Sequence, residues 1–222
     1  MKAIFQRAAL GFLLSGVLSA QQSVTSVHFV PSLIDPDLSY RFSGGVALTS
    51  TPSFELQLAY VDQLGFGFHY GLGLHGGLQG LHNSGILGFD IMIRFLHLMN
   101  EVSFMGWQGQ IGYAYTGLGD SDVSAAFGSA FPITTGLVIG GIVRDITRFY
   151  FFPAVEFGQT ANDNQSFWKS GIGLRLTLGS VISIGEKSHF YLETQPRFSR
   201  LNGDAVLSAF TVGFSMGFLF DF

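Results

Sequence analysis

His82 and Ser84 stand two apart in the stretch His82-Asn83-Ser84-Gly85. A histidine beside a serine hydroxyl is the start of a nucleophilic acyl-transfer site, provided that a carboxylate orients the imidazole. The nearest acids are Asp90 and Glu101. The hairpin that these residues imply sends Asp90 deeper and Glu101 to the opposite end, so the orienting acid is missing. A loop histidine next to a loop serine is the plainer reading. Asp120, Asp122 and Asp163 offer the hard oxygen ligands that a divalent cation prefers, and solvated loop acids are the plainer reading there too. His69 and His75 share one strand face but lie roughly 20 Å apart along it, too far to hold one metal. The chain has no cysteine, which removes thiolate metal sites, disulfide frameworks and cysteine nucleophiles together. It carries no P-loop, dinucleotide fingerprint or nucleophile elbow. The expectation is therefore no catalytic residue, no cofactor and no bound metal.

The elements that would position these side chains are strands. Phe66, Phe68, Tyr70, Leu72 and Leu74 alternate with Gly65, Gly67, His69, Gly71, Gly73 and His75. Leu87, Phe89, Ile91, Ile93 and Phe95 alternate with Gly88, Asp90, Met92, Arg94 and Leu96. Ile172, Leu174, Leu176 and Leu178 alternate with Gly171, Gly173, Arg175 and Thr177, and Phe190, Leu192, Thr194 and Phe198 with Tyr191, Glu193, Gln195 and Arg197. A period of two sends successive side chains to opposite faces of a strand. One face is apolar and aromatic; the other carries glycine and nearly all the charge.

Composition tells which face meets what. Of 222 residues 47% are hydrophobic and only 12% charged, with 24 Phe and 30 Gly. That charged fraction is about half the usual one for a soluble domain. The net charge of −4 gives no basic surface for nucleic acid. No stretch after residue 20 offers the 18 or so apolar residues of a membrane helix. A closed barrel with its apolar face to lipid and its polar face inward satisfies the alternation and leaves no backbone group unpaired in hydrocarbon.

The expected fold is all-β: a closed antiparallel up-and-down transmembrane β-barrel of about ten strands, with eight and twelve as the neighbouring even counts. The strands fall near 38–49, 53–61, 65–75, 86–96, 103–116, 133–143, 148–158, 167–184, 189–199 and 206–222. Short turns at 62–64, 97–102, 144–147 and 185–188 then lie at one rim and mostly longer connections at the other, as in outer-membrane barrels with a periplasmic start. Tyr40, Tyr60, Tyr115 and Trp168 fall near the rims, where amphipathic rings prefer to sit. Pro153 and Pro196 lie inside strands and imply bulges or different strand limits.

Ahead of the barrel, Lys2 and Arg7 precede the apolar run Ala8 to Leu18, the pattern of a secretory signal peptide over 1–20 with cleavage near Ala20. Residues 21–37 read as a periplasmic lead-in and 38–222 as the barrel.

The last eight residues are Ser215-Met216-Gly217-Phe218-Leu219-Phe220-Asp221-Phe222. They resemble the C-terminal β-signal of bacterial outer-membrane β-barrel proteins, with Ser215, Gly217, Phe220 and Phe222 at its polar, glycine and two aromatic positions. With the signal peptide and the strand pattern, the resemblance is to the superfamily of small barrels of the OmpA and OmpW types. It implies residence in the outer membrane among lipid and lipopolysaccharide, and recognition of the last strand by the barrel assembly machinery. His82 and Ser84 faintly resemble the His-x-Ser part of the lipid A deacylases, without their third member.

Arg41, Glu55, Asp90, Arg94, Glu156, Lys169, Arg175, Glu193 and Arg197 all fall in the inward phase of these strands. An isolated charge in a small low-dielectric interior is costly, so this set must pair or hydrogen-bond. Two arrangements satisfy that demand: a salt-bridged plug that makes the barrel rigid, or a narrow polar path for ions or small solutes. The inward glycines fit both, by leaving a cavity or by receiving long arginine side chains. The expected function is that of a monomeric, non-enzymatic outer-membrane barrel, structural or weakly conducting. An outer-leaflet lipid-modifying enzyme and a surface-loop binding protein are the alternatives.

Overall fold

Strands with one apolar and one polar face bury the polar face from lipid only by closing on themselves, and ten strands do so here. They are β1 (Phe42–Thr49), β2 (Ser53–Gly65), β3 (Phe68–Gln79), β4 (Ser84–Asn100), β5 (Ser103–Leu118), β6 (Gly128–Val143), β7 (Thr147–Asn162), β8 (Gln165–Gly185), β9 (Ser188–Leu201) and β10 (Leu207–Phe220). Each pairs antiparallel with its neighbours in sequence, and β1 pairs with β10 to complete a closed barrel. The computed structural model describes residues 42–49, 53–79, 84–100, 102–118, 128–143, 147–162, 165–201 and 207–220. Tyr40, Arg41, His82, Asn83, Asp120, Asp122, Asp163 and Phe222 lie outside them.

The barrel is inside-out relative to a soluble protein. Leu56, Leu72, Leu87, Ile93, Leu174 and Phe214 are exposed on its outer wall, while Glu55, His69, Asp90, Arg94 and Glu193 are buried within. On β8 the apolar outer series runs from Ile172 to Ile184, which at a tilt near 40° covers roughly 30 Å along the barrel axis. Outward aromatics gather toward both ends. Phe89, Tyr113 and Phe131 form a ladder across β4, β5 and β6 with centroids 5.9 and 4.9 Å apart. Toward the other rim stand Phe68–Phe95 at 4.8 Å and Phe190–Phe218 at 5.6 Å. Polar atoms on this wall are matched locally: the Trp107 indole N–H donates to Thr135 Oγ1 at 2.8 Å, as a donor facing hydrocarbon requires.

Two local features differ from the sequence expectation. The β2–β3 turn lies at Phe66–Gly67, not at 62–64. Gly65, Phe66 and Gly67 have φ of 105°, 51° and 80°, and positive φ at both central residues is what a tight hairpin needs to match strand twist. Gly65 and Gly67 therefore serve the turn and do not belong to an inner glycine wall. The prolines, in turn, cause no bulge. Pro153 keeps its place opposite Leu176 on β8, while the β6–β7 ladder skips from Gly136↔Ala154 to Ile139↔Phe151 in unchanged register. Pro196 stays paired with Val212, and Pro132 with Gly158, each with a similar gap on its other side. A proline lacks one donor, so one ladder loses one bond and the strand runs on.

The strands also extend beyond their expected limits at the far rim. Only 80–83 separates β3 from β4, and only 163–164 separates β7 from β8, while 119–127 remains a longer connection. The expectation of generally longer connections at that rim holds for 119–127 and not for these two.

Candidate functional site: the barrel interior

Strand register brings inward residues from distant parts of the chain into layers. In the half nearest the tight turns the layer is apolar. Val61, Met92, Leu96, Phe104, Val138, Phe152, Val181, Tyr191 and Leu219 come from eight strands and are all but inaccessible. Side chains from that many strands meeting with no accessible surface constitute a packed core. Arg94 is embedded at this level, and its Nε–H donates to Gln108 Oε1 at 2.8 Å. His69 lies beside it, with Nδ1 3.0 Å from the Gly67 carbonyl oxygen.

Glycines on neighbouring strands make this packing feasible. A Cβ on Gly179 would overlap the Tyr150 ring, one on Gly140 the Phe104 ring, and one on Gly88 the His75 imidazole. Each glycine is a socket in which a large side chain from the next strand lies flat against the wall. Cross-strand sockets, and not arginines from across the lumen, account for these glycines.

Polar residues occupy the middle and the far half. His75 lies between two buried acids, with Nδ1 3.6 Å from Glu55 Oε2 and Nε2 3.6 Å from Asp90 Oδ2. Asp90 also accepts from Gln110 Nε2 at 3.0 Å. Glu193 accepts from the Tyr150 hydroxyl, from Ser215 Oγ at 2.8 Å and from Gln195 Nε2 at 3.1 Å. Glu156 is shared by two cations, Arg175 Nη1 at 3.4 Å and the Arg197 Nε. Arg175 stacks over the Phe152 ring, 5.7 Å from its centroid, and lies in the field of Glu193 and Asp90.

Of the nine charged residues expected inside, Glu55, Asp90, Arg94, Glu156, Arg175, Glu193 and Arg197 point into the lumen in this arrangement. Lys169 holds a β8 position opposite Thr160, in the same phase as Arg175. Sequence reading left out the neutral partners: Gln108, Gln110 and Tyr150 have unremarkable neighbours in sequence, and only register brings them to a charge, whereas Gln195 reaches Glu193 two residues away on its own strand. It also missed Ser183, whose hydroxyl lies 3.0 Å from His189 Nδ1 across the β8–β9 turn; plain symmetry about Glu186-Lys187 sets Ser183 opposite Phe190, and the register shift between Ser183 and Gly185 is what brings it to His189. Ser215 and Gly217, read as assembly-signal positions, are inward residues of β10 with structural contacts of their own. Among the described residues, no three His, Asp or Glu side chains are grouped so as to hold a metal, the Glu55–His75–Asp90 cluster included.

No family model matches the chain, and no curated protein matches it. Among solved structures it is similar to the NanC porin, at 7% identity over 82% of this chain and 100% of that one, with a TM-score of 0.46. It is similar to the KdgM porin in complex with disordered oligogalacturonate at 9% identity, over 82% and 98% of the two chains, with a TM-score of 0.43. The attachment invasion locus protein Ail of Yersinia pestis is similar at 12% identity, over 82% and 99%, with a TM-score of 0.35. Scores this low transfer no residue role to this chain.

Proposed function

We propose that the chain is an integral outer-membrane β-barrel protein with a packed, non-conducting interior and no enzymatic role. The carrying observation is the double inversion of burial. Leu72, Leu87 and Leu174 are more than half exposed on the outer wall, while Val61, Met92, Val138, Val181 and Leu219 are at 0% within. An outer wall of that kind is stable in hydrocarbon and exposes far too large an apolar patch for water. The inner layer leaves the described lumen no water-filled route through the half with the tight turns. Export by the segment 1–20, assembly of β10 by the barrel assembly machinery, and monomeric residence among outer-membrane lipid and lipopolysaccharide complete the reading.

Planar-bilayer recording on the refolded chain tests it, with insertion scored separately by heat-modifiable gel mobility. The expected result is inserted protein and a silent bilayer. Steady, ion-selective conductance steps would overturn the packed interior and establish the narrow polar path in its place.

A further inference from the structure

We propose that the β2–β3 turn is a lipid anchor, with Phe66 and Leu64 seated where headgroups meet acyl chains, and that the barrel leans so that this side sits deeper in the bilayer than the β8–β9 side. The partner is a lipid surface. The inference rests on the membrane reading above and deepens it, by naming the part of the chain that fixes how the barrel sits.

Phe66 breaks a local rule. It has a φ of 51°, and among the described residues no other non-glycine residue has a positive φ. With Gly67 at 80° it makes the two-residue turn that Asn-Gly fills best, because asparagine tolerates the left-handed region and a bulky side chain does not. No packing within the protein offsets that strain, since Phe66 is 99% exposed and Leu64 74%. A local rule broken without an internal gain points to a contact outside the chain.

Continuity with the lipid-facing wall names the partner. Leu64 follows Leu56 and Leu58 in the outward phase of β2, and Phe68 and Leu72 continue on β3, all of them exposed. The outward acid among them, Asp62, accepts from the Tyr60 hydroxyl at 2.9 Å, the Tyr70 hydroxyl at 3.4 Å and the Gln63 N–H at 2.8 Å, so the hairpin itself supplies its donors. Tyrosines of this kind favour the membrane interface. About ten residues of tilted strand fill an apolar band about 25 Å tall. Counted from Phe54, that band ends at Leu64, and Phe66 falls in the adjoining headgroup layer. The next turn at this rim is also apolar at its edges: Met99 and Val102 are exposed, while Asn100 Oδ1 accepts from the Val102 N–H and the Ser103 hydroxyl; its Glu101 lies outside the described residues. Halfway round the ring from these two turns, past Ile184, the β8–β9 turn exposes Glu186 and Lys187 instead. A lean toward the apolar turns seats the aromatic ring in lipid and leaves the charged pair in water.

The chain has no cysteine, so Phe66→Cys, Leu174→Cys and Lys187→Cys each carry a single nitroxide label. The refolded full chain in phosphatidylcholine vesicles is then probed by relaxation with oxygen, which concentrates in lipid, and with a water-soluble nickel chelate. The label at position 66 is expected to favour oxygen, as at 174, and the label at 187 to favour nickel. A label at 66 as open to nickel as the one at 187 would overturn the anchor. A nickel-accessible label at 174 would reject the membrane reading and the anchor with it. Phe66→Asn gives a second measurement without a label. Asparagine suits this backbone better than phenylalanine, so the turn still forms, yet folding into the same vesicles should slow severalfold, with Phe66→Trp close to wild type. An unchanged or faster rate in Phe66→Asn would overturn the proposal even where a labelled variant failed to fold.

Discussion

Gly217→Ala is expected to cut the yield of folded barrel sharply, while Gly213→Ala on the same strand and the same inward face leaves it near wild type. The two sites differ in what a methyl group would meet. At Gly213 the nearest atoms lie 3.7 Å or more away, an ordinary contact. At Gly217 the methyl would overlap the Gly44 carbonyl oxygen, and it would come within 2.6 Å of Gly45 Cα and 2.7 Å of Tyr191 Cε1. The ring can turn, but the other two are backbone atoms of β1, the strand on which β10 closes. Gly45, opposite Gly217, has the same problem from the other side, because its own Cβ would overlap the Tyr191 hydroxyl. The seam therefore closes over Tyr191 through two facing glycines. Overpacking usually costs about 1–3 kcal/mol; at a seam of one eight-residue strand it falls on the step that completes the barrel. Ser215→Ala removes only a donor to Glu193 and should cost about 1–3 kcal/mol without blocking closure. Heat-modifiable mobility and urea refolding of the three variants measure all of this. Equal yields for Gly217→Ala and Gly213→Ala would sink the seam argument and leave Gly217 with a recognition role alone.

Strand number and face assignment were legible because both follow from local alternation. Leu174 and Arg175 are adjacent in sequence, and period two alone sets them on opposite walls. Placing the strands in order needed only that neighbours in sequence pair. What lay beyond reach was set by register between strands. Nothing near Gly179 indicates that Tyr150 fills its place, because the two are brought together by the β7–β8 pairing. Met92 and Leu96 share the inward phase with Asp90 and Arg94, so alternation alone made the interior look polar throughout. Phe104, Val138 and Val181, which complete the apolar layer with them, come from β5, β6 and β8. Proline was misjudged for a related reason. A missing donor disrupts a strand only if both neighbours need it, and each strand residue directs its N–H to one side.

Arg175→Leu should destabilise the barrel by about 3–5 kcal/mol, the usual result of removing one member of a buried ion pair, whereas Leu174→Ala should cost less than about 1 kcal/mol. Arg175 is a central charge of the interior. Its loss removes one of the two cations that share Glu156 and the stack on Phe152. Leucine fits the volume but leaves Glu156 with less positive charge around it in a space that water hardly enters, since Arg175 and Glu156 are each 7% exposed. Leu174, at 61% exposed on the outer wall, faces acyl chains as apolar as itself, so truncation exchanges one hydrocarbon contact for another. In a soluble sandwich the ranking would shift, because an apolar residue of one strand face would then be core and its truncation would cost about 2–5 kcal/mol. Arg175→Lys keeps the charge but not the planar fork, and should fall between the two. Urea titrations of the three variants refolded in lipid vesicles give the comparison. Equal losses for Arg175→Leu and Leu174→Ala would reject the assignment of lumen and lipid faces, and a loss in Arg175→Lys as large as in Arg175→Leu would mean that fork geometry, not charge, holds the network together.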